Sequence, residues 1–265
     1  MLFIVLHRTA EHYTEYWQTS VKLYDPFPPA TPATITGVPE KPQRIDLDWG
    51  TVTDTAYDAL RSYIESTSEI PDALAGARRD AEEFGLSVPD EMTGQLLATL
   101  AASTASEKST GAVAVTPAAG VVGMYILRGL GKRGTLTCID PEVEHQTQAR
   151  SAFREAGFAP SRVRFLPSRP LDVMSRLAAG SYQLVYAEVP PVELPAILDA
   201  AWPLLTPGGT LVLADSLLDA TLADDSRRDR ATLAAREADD IARNLEGALV
   251  TRLPLGAGMT LITRR

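Results

Sequence analysis

The stretch Ala112-Val113-Ala114-Val115-Thr116-Pro117-Ala118-Ala119-Gly120 decides the fold. Ala112–Val115 is a short apolar run, the length of a buried strand, and Pro117 cannot donate to a ladder and so ends it. Small residues then carry the chain into a helix-length apolar segment near Ala118–Leu130. A strand that turns tightly into a helix is the first half of a β-α-β unit. Working outward, the same alternation recurs. Strands are predicted at Thr135–Ile139, Arg162–Leu166, Gln183–Ala187 and Thr210–Ala214, with helices near Pro141–Ala156, Leu171–Ala179 and Val192–Leu205. A long helix follows, with Ala234, Ala238, Ile241, Ala242 and Leu245 on one face. Two closing strands, Ala248–Leu253 and Met259–Thr263, meet through Gly256-Ala257-Gly258 as an antiparallel pair. Upstream, helices are predicted over about Asp54–Glu65, Pro71–Phe84 and Asp90–Ala102. The implied fold class is α/β, a doubly wound sheet of seven mostly parallel strands with an antiparallel C-terminal strand, preceded by N-terminal helices.

The chain of 265 residues, 45% hydrophobic, is long enough for one substantial core. Residues 25 to 42 hold a proline cluster that reads as a linker, so residues 1–50 are expected to be a flexible extension and 51–265 the folded domain. With 25 Lys plus Arg against 34 Asp plus Glu, the formal charge is −9, which offers no basic field to nucleic acid or to an anionic membrane surface. The single cysteine, Cys138, forms no internal disulfide and sits in an apolar run, as a buried structural thiol does. The only continuous apolar run at the N-terminus, Met1 to Leu6, is far shorter than a signal-peptide core. These features point to a cytoplasmic protein.

Ligands of open parallel sheets bind beyond the carboxyl ends of the strands, where successive connections leave in opposite directions. Four positions answer to that rule. The turn Thr116-Pro117-Ala118-Ala119-Gly120 either lets a ligand approach amides at a helix N-terminus or is a compact structural turn. Asp140, after the second strand, suits two ribose hydroxyls, but with Pro141 and Glu142 behind it the same residue reads as a helix N-cap. Glu188 and the pair Asp215-Ser216 end two neighbouring strands, where they either converge on a hard divalent cation or are solvated loop acids. His7, His12 and His145 support no histidine-based acid or metal site. A Gly-x-Gly-x-x-Gly after the first strand, which a nicotinamide-binding enzyme would carry, is absent.

From about Asp90 to Arg265 the ordered motifs resemble the caffeoyl-CoA and catechol type of class I S-adenosylmethionine-dependent O-methyltransferases, including their small bacterial members. Gly94-Gln95-Leu96-Leu97 resembles the family's Gly-Gln helix, and Leu136-Thr137-Cys138-Ile139-Asp140 its second strand with the ribose-binding acid. Tyr182-Gln183-Leu184-Val185-Tyr186-Ala187-Glu188 is similar to its Tyr-Asp-Leu-Val-Phe-Ile-Asp strand. Gly208 to Asp215 is similar to its fifth strand, and Leu253-Pro254-Leu255-Gly256-Ala257-Gly258 to its closing turn. The resemblance implies a Rossmann-like fold and a methyltransferase acting on a small hydroxyl acceptor. It implies S-adenosylmethionine at Thr116, Ala118, Gly120, Asp140, Pro141, Ser168, Pro170 and Glu188, and a dimer formed through the N-terminal helices. It further implies a divalent cation, magnesium or calcium, at Glu188, Asp215 and Ser216.

This chain departs from the pattern at the functional positions. Where the family has Glu-x-Gly-x-Gly-x-Gly, the chain has Ala114, Thr116, Ala118 and Gly120, and β-carbons at Thr116 and Ala118 point to a narrowed cofactor loop. Glu188 stands for the family's first metal-binding Asp, Asp215-Ser216 for its Asp-Asn pair, and Pro191 for a lysine that is a candidate base. The sulfonium is a reactive donor, so methyl transfer mainly requires an acceptor held in line with it. An O-methyltransferase is therefore the first reading. A catalytically impaired relative with a binding or scaffolding role is the alternative.

Overall fold

In the computed structural model, which describes residues 49–103 and 111–265, a seven-stranded sheet runs in the order β3-β2-β1-β4-β5-β7-β6. Its strands are β1 (Gly111–Val115), β2 (Thr135–Ile139), β3 (Val163–Leu166), β4 (Tyr182–Ala187), β5 (Leu205–Leu213), β6 (Ala248–Leu253) and β7 (Met259–Arg264). The first five pair in parallel, and β7 inserts antiparallel between β5 and β6. All five residues of β1 are buried, which explains why its text is apolar without alternation: helices cover both faces of a parallel sheet. The period of two sorts these side chains between the faces.

Ala112 and Ala114 face a core built with α2 (Asp72–Glu83), α3 (Glu91–Ser103), α4 (Ala119–Gly129) and α5 (Val143–Glu155). Val113 and Val115 face a second core built with α6 (Pro170–Val173), α7 (Leu194–Ala201) and α8 (Arg230–Asn244). Cys138 is fully buried in the first core, and burial pushes its thiol pKa up, in keeping with a structural role. The contact between α3 and α4 depends on Gly94, where an added Cβ would sit 2.3 Å from the Tyr125 ring. The Gly-Gln helix therefore has a packing reason.

Several boundaries differ from the sequence expectation. The first helix, α1, runs Trp49–Thr67, so the proposed division at residue 50 falls inside it, while residues 1–48, with the proline cluster, His7 and His12, lie outside the described residues. The helix expected over Leu171–Ala179 is only α6 and a 3-10 turn, Met174–Arg176. The one expected over Val192–Leu205 is α7 flanked by the 3-10 turns Pro191–Glu193 and Trp202–Leu204, because prolines interrupt both ends. Strand β5 starts earlier than expected: Tyr182 pairs with Leu205 and Leu184 with Thr210, so the segment around Pro207-Gly208-Gly209 bulges out between them.

Candidate active site

The sheet order reverses between β1 and β4, and a cavity of about 490 Å³ opens at that point. Thr116, Asp140, Pro141, Pro170 and Glu188 line it together, and Arg169, Asp172 and Glu193 line it as well. A second cavity of about 490 Å³ lies on the other side of Glu188, which lines both. Its apolar wall includes Ile70, Tyr186, Leu255 and Met259.

Glu188 is held firmly. Its amide donates to Val115 O at 2.8 Å, extending the β1–β4 ladder, and Thr116 Oγ1 donates to its Oε2 at 2.7 Å. Burial raises the Glu188 pKa above the ordinary glutamate value, the Thr116 hydrogen bond opposes that rise, and the charge of Asp215 adds to it. Thr116 also accepts from the Ala118 amide at 3.1 Å, so its hydroxyl ties the turn to β4 and occupies an amide that a ligand could have used. The β-branched residue in place of a glycine thus has a structural role.

Asp140 is positioned by α5 without capping it. The N-cap position falls at Glu142, whose side chain makes no capping bond, because α5 starts only at Val143. His145 Nδ1 donates instead to Asp140 Oδ2 at 2.7 Å, and Gln146 Nε2 donates to Asp140 O at 2.7 Å. Burial raises the Asp140 pKa, and the His145 contact opposes the rise. The N-cap alternative for Asp140 and Pro141 is thereby corrected. His145 is the orienting partner of the carboxylate, and only the distance between loop and helix reveals that.

Three of the expected cofactor residues lie elsewhere. Ala118 and Gly120 line a separate cavity of only about 20 Å³, and a Cβ on Gly120 would meet Ala149 and Ala152 of α5. These contacts, at 3.5–3.8 Å, are ordinary van der Waals distances, so Gly120 faces α5 without being required there. Ser168 lines neither large cavity.

The residues expected to hold a divalent cation do not fit one. Ser216 is buried, with its hydroxyl donating to Leu213 O at 3.2 Å and paired with the Thr260 hydroxyl at 2.9 Å, so it braces β5 against β7. Asp215, at φ +51°, accepts from the Ala257 amide through Oδ1 at 2.7 Å. Among the described residues no group of three or more His, Cys, Asp or Glu side chains is arranged to hold a metal. Two carboxylates with one free oxygen each are a poor match for the six to eight oxygens that calcium takes.

The sequence reading did not single out five charged residues of the second cavity, Arg61, Glu65, Arg78, Asp90 and Glu91. Asp90 had one legible signal: it stands three residues before Thr93, whose amide donates to its Oδ1 at 2.8 Å, the pattern of a helix start.

No family model matches the chain. A curated O-methyltransferase of Mycobacterium tuberculosis is 35% identical over 210 residues, covering 78% of this chain and 91% of the relative. One from a Mycobacterium species is 34% identical over 207 residues, covering 78% and 93%. Among solved structures, a Corynebacterium glutamicum protein is 66% identical, with a TM-score of 0.77 and 79% of this chain and 97% of that one covered. The O-methyltransferase of tomaymycin synthesis from Streptomyces achromogenes, solved with S-adenosylmethionine, shares the fold at 22% identity and a TM-score of 0.70, covering 78% and 96%.

Proposed function

Because the chain belongs to the O-methyltransferase family, we propose that it is an S-adenosylmethionine-dependent enzyme that methylates a hydroxyl group of a small molecule. The observation that carries this reading is the pair of cavities divided by Glu188, one at the switch point of the sheet and one beside it. The first takes the cofactor and the second the acceptor. Bound S-adenosylmethionine supplies a methyl group on a sulfonium, so the acceptor oxygen forms its bond to carbon as the carbon–sulfur bond breaks and the hydroxyl proton is released.

The chain's own residues then have distinct tasks. Asp140, held by His145, accepts hydrogen bonds from ribose hydroxyls. Thr116, Pro141 and Pro170 wall the cofactor cavity. Glu188 faces the acceptor with Oε1, while Oε2 is fixed by Thr116, and takes up the proton of the hydroxyl. No step requires a metal.

No helix among the described residues is long and apolar enough to cross a membrane. The acidic balance and single cysteine favour action in the cytoplasm on a small molecule rather than on nucleic acid. Exposed Leu60, Tyr63 and Ile70 on and after α1 support a dimer formed through the N-terminal helices. Calorimetric titration with S-adenosylmethionine tests the reading. Binding at micromolar concentration is expected, and the absence of heat at millimolar cofactor in folded protein would sink it.

A further inference from the structure

Between α5 and β3, the strand at one edge of the sheet, lies a pocket of about 150 Å³ that shares no lining residue with either large cavity. Phe153, Phe158, Val163 and Phe165 contribute its apolar surface. The Phe153 ring meets Phe158 edge to face, with centroids 6.4 Å apart, and stands 6.1 Å from the ring of Phe165. Two arginines of α5, Arg150 and Arg154, also line the pocket. They are four positions apart, which sets them on one face of the helix, and both are exposed. The guanidinium carbon of Arg150 lies 4.2 Å from the centre of the Phe165 ring. Among the described residues neither guanidinium has an ion-pair or hydrogen-bond partner. The surrounding segment is basic as well: residues 150 to 164 hold four arginines against one glutamate, in a chain of formal charge −9. Arg162 is committed to the carbonyls of Leu127, Leu130, Gly131 and Gly134, which leaves Arg150 and Arg154 as the uncommitted cations of the pocket.

We propose that this pocket binds a small carboxylic acid with a single aromatic ring, the ring lying among Phe153, Phe158 and Phe165 and the carboxylate held by Arg150 and Arg154. Three features select that chemistry. An apolar cavity of about 150 Å³ holds one benzene ring, and it is well below the volumes that take drug-sized ligands or nucleotides. Phenylalanine edges and faces favour an aromatic ligand over an aliphatic one of the same size. Like charges four positions apart on a helix repel each other, and a carboxylate between them turns that repulsion into two attractions, each through a guanidinium fork that matches its oxygens. An amine would meet the same two cations with its own positive charge. Because the pocket stands apart from both large cavities, the inference is independent of the methyltransferase reading.

The test is calorimetric titration of the whole chain with three ligands of one shape: 3-phenylpropionate, the neutral 3-phenylpropan-1-ol and the cationic 3-phenylpropylamine. The acid is expected to bind at least about tenfold more tightly than the alcohol, with the amine weakest, and high salt should shrink the gap. Saturation with S-adenosylhomocysteine should leave the affinity for the acid unchanged. Arg150→Gln and Arg154→Gln, exposed positions whose variants are checked for folding by circular dichroism, should each remove most of the preference for the acid. Val163→Phe, which fills the pocket, should weaken all three ligands; should that variant fail to fold, the two arginine variants still decide. An acid that binds no more tightly than the alcohol, or gives no heat at millimolar concentration, overturns the inference. So does a preference that survives both arginine substitutions, or one that S-adenosylhomocysteine abolishes, since either places the acid in another cavity.

Discussion

Thr116 Oγ1 donates a 2.7 Å hydrogen bond to Glu188 Oε2, joining the turn after β1 to the end of β4 across 72 positions of sequence. Glu188 lines both large cavities, so this one contact fixes the wall between them. Thr116→Val removes the donor and keeps the shape. A hydrogen bond to a charged group contributes about 1.5–3 kcal/mol, and a loss of that order is expected in urea unfolding at pH 7.5. The loss should shrink at acid pH, where Glu188 is protonated; a pH-independent loss would mean that packing, not the bond, is responsible.

Glu188→Gln should separate stability from activity. A carboxyl whose folded pKa stands above its unfolded value weakens the fold when ionised, fully above the folded pKa and not at all below the unfolded value of about 4.3. The variant is therefore expected to melt at a higher temperature than the wild type at pH 7.5, with the gap closing as pH falls toward 4. Its methyl-transfer rate should drop by about 100-fold, the range ascribed to a positioned proton acceptor. Thermal melts across the pH range, set beside turnover, check both halves.

Asp140→Asn should weaken S-adenosylhomocysteine by about tenfold or more, because a charged acceptor of two hydroxyl bonds becomes a neutral amide with one acceptor oxygen. Calorimetry measures this directly. An unchanged affinity would remove Asp140 from the cofactor site.

Gly94→Ala forces a methyl group to within 2.3 Å of the Tyr125 ring. The ring cannot move freely, since its hydroxyl is bound by Arg78 and donates to Glu91; burial and the Glu91 hydrogen bond push its pKa up to about 12, and Arg78 opposes the rise. Overpacking of this kind costs about 1–3 kcal/mol, readable in the urea midpoint.

Chelation provides a further check. Because Ser216 and one oxygen of Asp215 are engaged within the protein, EDTA is expected to leave the methyl-transfer rate unchanged. A rate that collapses with EDTA and returns with magnesium would show that the loop between β5 and α8 rearranges to bind a metal.

Strand and helix identities were legible in the residues because burial on both faces of a parallel sheet produces continuous apolar runs such as Gly111–Val115, and small or proline residues mark the turns. The carboxyl-end rule likewise picks out Thr116, Asp140 and Glu188 from strand direction alone, and in the structure the three line one cavity. Boundaries next to prolines were less legible: α7 and its flanking 3-10 turns depend on how each proline's missing amide is accommodated.

The amino-acid sequence by itself determined the order of elements, the doubly wound plan and the strand ends at which chemistry is placed, all of which are local properties of periodicity and backbone direction. Only the tertiary structure decided which way the side chains at those ends turn. Thr116 turns to Glu188, Ser216 to Thr260, and His145 back to Asp140. Each of these directions is set by a partner or packing surface from another element, and such distances are fixed when the layers pack. For the same reason the surplus negative charge of the second cavity was invisible in the chain: it depends on the packing that brings Arg61 and Arg78 together with five carboxylates from separate elements.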